Sequence, residues 1–275
     1  PIIPFICPYN CTAFFFFIVA LGHTRLSIID TSDAGSQPFV DASGNYVLVF
    51  NGEFYNHNDF REELLADGVS FTSKSDTEVL LYLLIKYGSS AIEKLNGCFA
   101  FAFYDIRKKE CLVVRDRMGI NPVVLYSDDE KFMFASEMKA LVAMGIPKEI
   151  DNEALKTYFQ LNYIPTNQGI FKNTRKLRPG TFLRITPDGV EEHSYYSIPN
   201  RRTSPIDDDY ETAKKKLREL LSASVQRRLI ADVPLGCFLS GGIDSSIITG
   251  LASQFTSKLN TFSVGFSDNK YFDET

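Results

Sequence analysis

The sequence predicts an α+β chain in two parts, an antiparallel, strand-rich first part and the opening of a parallel sheet in the second. Three observations predict it. Between residues 46 and 135, short apolar runs follow one another with only brief polar turns between them. Strands spaced so closely pair antiparallel, because a parallel pair needs a crossover of about a dozen residues or more. Residues 199–205 (PNRRTSP) are polar, proline-bracketed and without periodicity, and so read as a linker. Beyond them a strand-like run at 237–239, a glycine loop at 240–242, a helical run at 245–253 and a strand-like run at 261–266 form a βαβ unit.

Each element has its own signal. Residues 46–50 (YVLVF) form a short apolar strand ending at a turn, Asn51-Gly52. Residues 77–87 (TEVLLYLLIKY) form a helix, with Ser75 or Asp76 as N-cap and Gly88 as its stop. Strands follow at 98–104, 111–114, 123–126 and 132–135, with turns at 105–110 and 127–131, and further strand signals lie at 180–186 and 190–196. After the linker, Asp208 and Glu211 match a capping box. Tyr210, Ala213, Leu217, Leu220, Leu221 and Val225 then recur at helical spacing. The expected domains are 1–200 and 206–275. The second is expected to be truncated, because one βαβ unit cannot cover both faces of a sheet.

Bulk properties exclude several classes. A length of 275 residues allows one large domain or two modest ones, and 44% hydrophobic with 23% charged residues fits a soluble chain with a core. A net charge of −5 argues against nucleic acid as a partner. The basic run Lys214-Lys215-Lys216, with Arg218, Arg227 and Arg228, reads as a solvated helix face. The five cysteines are odd in number and include no C-x-x-C pair, so neither a disulfide framework nor a zinc ribbon is expected. Cys98, Cys111 and Cys237 sit in apolar runs as small buried hydrophobes, and a reducing, cytoplasmic setting follows. Residues 1–24 carry no Lys, Arg, Asp or Glu, but Pro1, Pro4, Pro8 and Asn10 interrupt them, and the apolar run at 13–21 is shorter than the roughly 20 residues of a span. No basic n-region or cleavage site is visible, so neither secretion nor a membrane role is expected. A start at Pro1 rather than Met suggests an incomplete or processed beginning.

Two constellations carry chemistry. The first is Ser240-Gly241-Gly242-Ile243-Asp244-Ser245-Ser246, between a strand and a helix. Two glycines let backbone approach a phosphate, and the N–H groups and dipole of the helix start favour its charge. Ser240, Ser245 and Ser246 add hydroxyl donors. Asp244 would repel phosphate and is better suited to a magnesium ion bridging to it. The second constellation is spread over LGHTRLSIID (21–30), NGEFYN (51–56) and SDTE (75–78). Free glutamine needs a guanidinium for its α-carboxylate, which Arg25 supplies, and a carboxylate for its α-ammonium, from Asp76 or Glu53. Its amide, once attacked, needs two oxyanion donors, for which the Asn51 side chain and the Gly52 N–H are suited. Singly, each has a plain structural reading: a turn, a helix cap, a surface ion-pair partner.

The motifs G-H-x-R-L-S-I-I-D, N-G-E-x-Y-N, S-D-T-E, N-G-x-F-A-F-A-x-Y-D, R-D-R-x-G-I-x-P, A-S-E-x-K-A-L and S-G-G-I-D-S-S occur in the order seen in glutamine-hydrolysing asparagine synthetases. The chain resembles that family from about Val19 to its end. The resemblance implies a four-layer α/β/β/α sandwich of the N-terminal-nucleophile type, followed by the start of an ATP-pyrophosphatase-type domain. It implies that glutamine is hydrolysed and that its ammonia travels through a tunnel to the second domain. There ATP and Mg2+ activate aspartate as an acyl-adenylate, which ammonia converts to asparagine. Glutamine, aspartate and ATP are the implied small-molecule partners, and a homodimer is a possible assembly. Carried over residue by residue, Arg25, Leu26, Ser27, Ile28, Ile29, Asn51, Gly52, Glu53 and Asp76 resemble the glutamine site, with Asn51 and Gly52 as its catalytic oxyanion hole. Leu239, Ser240, Gly241, Gly242, Asp244, Ser245 and Val264 resemble the nucleotide site, with Asp244 on the metal.

The chain also departs from that pattern. The family's nucleophile is an N-terminal cysteine followed by Gly-Ile, and its own α-amino group is the base. Here Cys7 precedes Pro8, Cys11 precedes Thr12, and the Arg-Gly-Pro-Asp segment is missing. Residues 1 to about 17 look unrelated to the family, and glutaminase turnover is not expected of the chain as written. Asn121 stands where a basic residue is usual, and Ser36 where histidine is usual. The second nucleotide motif and its lysine are not reached. A non-catalytic glutamine- or nucleotide-binding relative, and a related amidotransferase with another acceptor, are the alternatives.

Overall fold

The computed structural model describes residues 11–16, 19–198 and 207–265, with backbone alone for 11–16. The linker expected at 199–205, Cys7, and the end of the strand expected to reach 266 lie outside the described residues. The chain divides into two compact units, Pro1–Leu26 with Ser32–Ile198, and Ser27–Thr31 with Pro199–Thr275.

In the first unit the strands are β1 (Cys11–Phe16), β2 (Val19–Thr24), β3 (Phe39–Val40), β4 (Tyr46–Phe54), β5 (Gly97–Asp105), β6 (Glu110–Arg115), β7 (Val124–Ser127), β8 (Phe132–Ala135), β9 (Thr174–Lys176), β10 (Thr181–Thr186) and β11 (Gly189–Ser194). The helices are α1 (His57–Ala66), α2 (Asp76–Tyr87), α3 (Met138–Ala143) and α4 (Asn152–Leu161). β1 and β2 form an antiparallel hairpin. One sheet runs β11-β10-β6-β5-β4-β3 and a smaller one β8-β7-β9, and every pairing within them is antiparallel. That is the pairing the short polar turns require.

Side-chain alternation sorts these strands into layers. Leu48, Phe50, Phe54, Phe101, Phe103 and Leu112 point to one face of the large sheet, where Leu64 of α1 and Leu80, Leu81 and Leu84 of α2 cover them. Val47, Val49, Ala102, Tyr104 and Val113 point to the other face and meet Leu125 of β7 and Phe132 and Phe134 of β8. Val124 and Tyr126, on the far face of β7, pack against Leu141, Met138 and Val142 of α3. The order is therefore α/β/β/α, four layers, as expected. Residues 46–50 of β4 and 98–104 of β5 read as apolar runs because both faces of the sheet are covered there.

Asn51-Gly52 is not a turn. β4 continues through it to Phe54, paired with β5 down to Phe54↔Gly97. Gly52 takes φ 140°, and a Cβ there would lie 2.1 Å from the Cys98 carbonyl oxygen. The dipeptide thus serves close strand approach rather than chain reversal. α2 starts as read, with Ser75 Oγ accepting from the Thr77 N–H at 3.1 Å, and Gly88 closes it at φ 56°. The sequence reading does not anticipate α1, α3 and α4. The family resemblance expected from Val19 is preceded by an ordered hairpin strand at Cys11–Phe16.

The second unit contains α5 (Tyr210–Arg227), β12 (Gly236–Phe238), α6 (Ile243–Ala252) and β13 (Asn260–Phe262). β12 and β13 are parallel with α6 between them, which is the expected βαβ unit. The cap of α5 is Asp209, not Asp208. Asp209 Oδ1 accepts from the Thr212 N–H at 2.8 Å, while both oxygens of Asp208 accept from Lys216 Nζ at 2.9 and 2.7 Å. Glu211 pairs with Lys214, so it closes no capping box, and within the lysine run Lys214 and Lys216 are paired with acidic residues while Lys215 is exposed. Cys111 is buried, whereas Cys98 and Cys237 are only partly so, and all three are free thiols. Among the described residues no helix is long and apolar enough to cross a membrane.

Candidate functional site

Among the described residues, part of one strand edge of the first unit is left uncovered. β3 pairs with β4 only at Phe39↔Leu48 and Val40↔Val47. Antiparallel ladders turn alternate residues' polar groups to opposite sides. The Tyr55 N–H donates to the Asn96 carbonyl at 2.8 Å, continuing the β4–β5 register and directing residues 51, 53 and 55 toward β5. Phe99, the partner of Gly52, accepts instead from the Asp116 N–H at 2.8 Å, on its β6 side. Phe50, Gly52 and Phe54 therefore face the edge that β3 no longer covers.

Two buried side chains bracket that edge. Gln37 Oε1 accepts from the Phe50 N–H at 2.6 Å, and its Nε2 donates to the Phe50 carbonyl at 3.0 Å, so one amide replaces a missing strand residue. Asp76 Oδ2 accepts from the Phe54 N–H at 2.9 Å. Between them the Gly52 N–H points to the same edge, beside the exposed side chain of Asn51.

The electrostatics there are unusual. Burial pushes the Glu53 carboxyl up to about 8, with help from the negative charge of Asp76. Burial also raises Asp76, against the N–H of Phe54 and the nearby His57. His57 Nδ1 is 2.7 Å from the Phe54 carbonyl. Two carboxyls that resist ionising side by side form a site suited to a cation, whose charge favours the ionised forms. Glu78, in the same S-D-T-E motif, plays a different part: it accepts from the Ser73 N–H and Oγ, each at 2.7 Å, and holds that turn.

Arg25 lies at the end of β2, where Nη1 donates to the Ser32 carbonyl at 3.0 Å. Its guanidinium lies so close to Gly35 that a Cβ there would be 2.3 Å from Nη2. Leu26 is exposed. The run Arg25–Ile29, expected as one strip, is divided: Ser27, Ile28 and Ile29 belong to the second unit. In that unit the Asp232 N–H donates to the Ile28 carbonyl at 2.9 Å, and the Asp30 N–H donates to Asp232 Oδ2 at 2.8 Å. The structure thus brings Asn51, Gly52, Glu53 and Asp76 together around one strand edge. Sequence reasoning missed Gln37, and only its position before Pro38 marked it.

The loop of the second unit has a different economy from the one expected. Ser245 Oγ and Ser246 Oγ donate to the Gly242 carbonyl at 3.0 and 2.8 Å, and the Ser240 N–H donates to Ser245 Oγ at 3.3 Å. The hydroxyls tie the loop to itself, because the carbonyl of the N-cap residue lies within reach of both. Gly241 turns at φ 76°, and no side chain caps the N-terminus of α6. Its first-turn N–H groups, rather than the serines, are the donors suited to a phosphate. Asp244 is exposed in that first turn. Among the described residues no cluster of three or more His, Cys, Asp or Glu could hold a metal, so Asp244 stands as a single carboxylate. The Leu239 N–H donates to the Phe262 carbonyl at 2.8 Å, and the Leu239 carbonyl accepts from Ser263 Oγ at 2.6 Å, while Val264 is exposed.

Residues 12–196 match the family model for a glutamine amidotransferase domain, and residues 216–275 match that for asparagine synthase. The first match begins at 12, earlier than the resemblance expected from Val19. The chain is 38% identical over 253 residues to asparagine synthetase [glutamine-hydrolyzing] 1 of Bacillus subtilis, covering 92% of this chain and 40% of that one. It is 36% identical over 264 residues to asparagine synthetase [glutamine-hydrolyzing] 3 of the same organism, covering 92% and 42%. A solved glutamine phosphoribosylpyrophosphate amidotransferase from B. subtilis aligns with 92% of this chain and 53% of its own, at 21% identity and a TM-score of 0.49. The chain therefore spans well under half the length of these two curated relatives.

Proposed function

The chain belongs to the glutamine amidotransferase family and continues into an asparagine synthase segment, and from that premise we propose that the first unit binds glutamine, the amide-nitrogen donor of the family's reaction. The second unit would contribute the nucleotide side of an ATP-dependent synthesis of asparagine from aspartate. One observation carries the glutamine site: the Gly52 N–H lies on an open strand edge between Phe50, engaged by Gln37, and Phe54, engaged by Asp76.

In this reading Glu53 and Asp76 take the α-ammonium, and Arg25 takes the α-carboxylate. The Gly52 N–H and the Asn51 amide face the side-chain carbonyl, where donors fixed before the reaction stabilise developing negative charge best. In the second unit the uncapped first turn of α6 takes the pyrophosphate of ATP. Asp244 would hold a magnesium ion, which accepts one carboxylate with waters and phosphate oxygens for the rest of its shell and neutralises phosphate charge. The free thiols of Cys98, Cys111 and Cys237 support a reducing, cytoplasmic setting.

Calorimetric titration with L-glutamine tests the first half. Saturable binding is expected, weakened on the order of tenfold or more by Asp76→Asn, since a charge-assisted contact is worth about 1.5–3 kcal/mol. Equal affinity in the variant, or no binding by the parent, would refute it.

A further inference from the structure

The motif R-D-R-M-G-I-N-P at 115–122 has no part in the chemistry above, yet the structure ties it to the same strand, β4, from its β5 side. Asn121 Nδ2 donates to the Asn51 carbonyl at 2.7 Å and approaches the Cys98 carbonyl at 3.4 Å. Two carbonyls fix the amide's orientation, because only its NH2 end can serve both. Asn51 is on β4 and Cys98 on β5, and the residues between them in the register are Gly52 and Phe99. The contact is therefore a staple across the two strands at the position of the Gly52 donor. Space for it exists only because residue 52 lacks a side chain: a Cβ there would lie 2.7 Å from Asn121 Nδ2.

Asn121 is itself rigidly held. Asp116, almost fully buried, accepts from the N–H groups of Met118, Ile120 and Asn121 at 3.0, 3.0 and 2.9 Å. Its main-chain N–H donates to the Phe99 carbonyl at 2.8 Å. Arg115 donates through Nε to the Asn121 carbonyl at 3.0 Å and through Nη2 to the Gly119 carbonyl at 2.7 Å. Arginine and aspartate thus shape a loop whose last polar group lands on the backbone of β4.

We infer that Asn121 is a positioning residue of the candidate glutamine site, delivered by the Arg115–Asp116 loop, which fixes the direction of the Gly52 N–H through the Asn51 peptide. This rests on the reading of Gly52 as a donor to the glutamine amide. The staple acts opposite Gln37: Gln37 fixes the peptide of Phe50 from the open edge, and Asn121 fixes that of Asn51 from the β5 side. Acting only through the backbone, it should govern how well the amide oxygen is met and leave the recognition of the α-ammonium by Glu53 and Asp76 intact.

The test is an NMR titration of the chain, selectively 15N-labelled at glycine, with L-glutamine, for the parent, Asn121→Asp and Asn121→Ala. Asn121→Asp is isosteric and replaces the donor with a group that both carbonyls repel. In the parent, glutamine is expected to shift the Gly52 amide resonance. In both variants that shift should fall by at least half, with calorimetric glutamine affinity within about threefold of the parent and the other glycine resonances in place. Loss of overall affinity in step with the shift would mean a merely structural role and would overturn the inference. Variants that keep the full Gly52 shift would overturn it too, while leaving the site reading standing. A Gly52 resonance unmoved by glutamine in the parent would overturn the site reading and the inference together.

Discussion

Gly52→Ala probes the feature on which the candidate site depends, the close passage of β4 and β5. At φ 140° an L-residue is strained, at a cost of about 1–3 kcal/mol. The new methyl would also sit 2.1 Å from the Cys98 carbonyl oxygen and 2.7 Å from Phe99 Cα, both main-chain atoms that no rotamer change can move away. Forcing such backbone apart costs about 1–3 kcal/mol more. The sum is about 2–6 kcal/mol, which for a domain of this size lowers Tm by roughly 5–20 °C. Gly68→Ala is the control, since Gly68 has φ 87° but nothing within 4 Å of an added Cβ. It should lose only about 1–2 kcal/mol of backbone strain. Thermal and urea unfolding of both variants measure the difference, and glutamine titration reads the displaced donor. Equal losses in the two variants would mean that β4 and β5 do not approach at Gly52 as described, and that the Gly52 N–H does not lie on the uncovered edge.

Four other outcomes follow from the geometry. Glutamine affinity should rise with pH by up to about tenfold per unit below pH 8 and then level off, because the ammonium favours ionised Glu53, whose carboxyl is pushed up to about 8 in the free protein; a flat profile in the parent, or the same slope in Glu53→Gln, would contradict it. The same raised carboxyl stabilises the fold when protonated, so its contribution is fully present below about pH 4.5 and lost as pH rises through about 8, which urea midpoints of parent and Glu53→Gln would show. Ser75→Ala removes the cap of α2 and should cost about 1 kcal/mol in unfolding free energy. Asp209→Ala should cost about 0.5–2 kcal/mol by the same reasoning, whereas Asp208→Ala, which breaks an exposed ion pair, should cost at most about 1 kcal/mol; the reverse order in chemical denaturation would put the cap back at Asp208.

The amino-acid sequence by itself determined the antiparallel character of the first part, the helix capped at Ser75 and stopped at Gly88, and the parallel βαβ of the second part, and it marked Asn51, Gly52, Glu53 and Asp76, but not Gln37, as candidates for the site. These follow from local physics: hydrophobic period, turn length, and capping chemistry within a few residues of each other. Only the tertiary structure decided what Asn51-Gly52 does, because a turn and a close strand crossing use the same dipeptide and differ only in what lies opposite. It also decided that Asp76 and Gln37 flank one donor, 22 and 13 residues from their main-chain partners, and that Glu78 holds a turn instead. The loop serines illustrate the same limit. Their hydroxyls were legible as donors, but which acceptor they take is set by the distance to the Gly242 carbonyl, a quantity that exists only once the chain has folded.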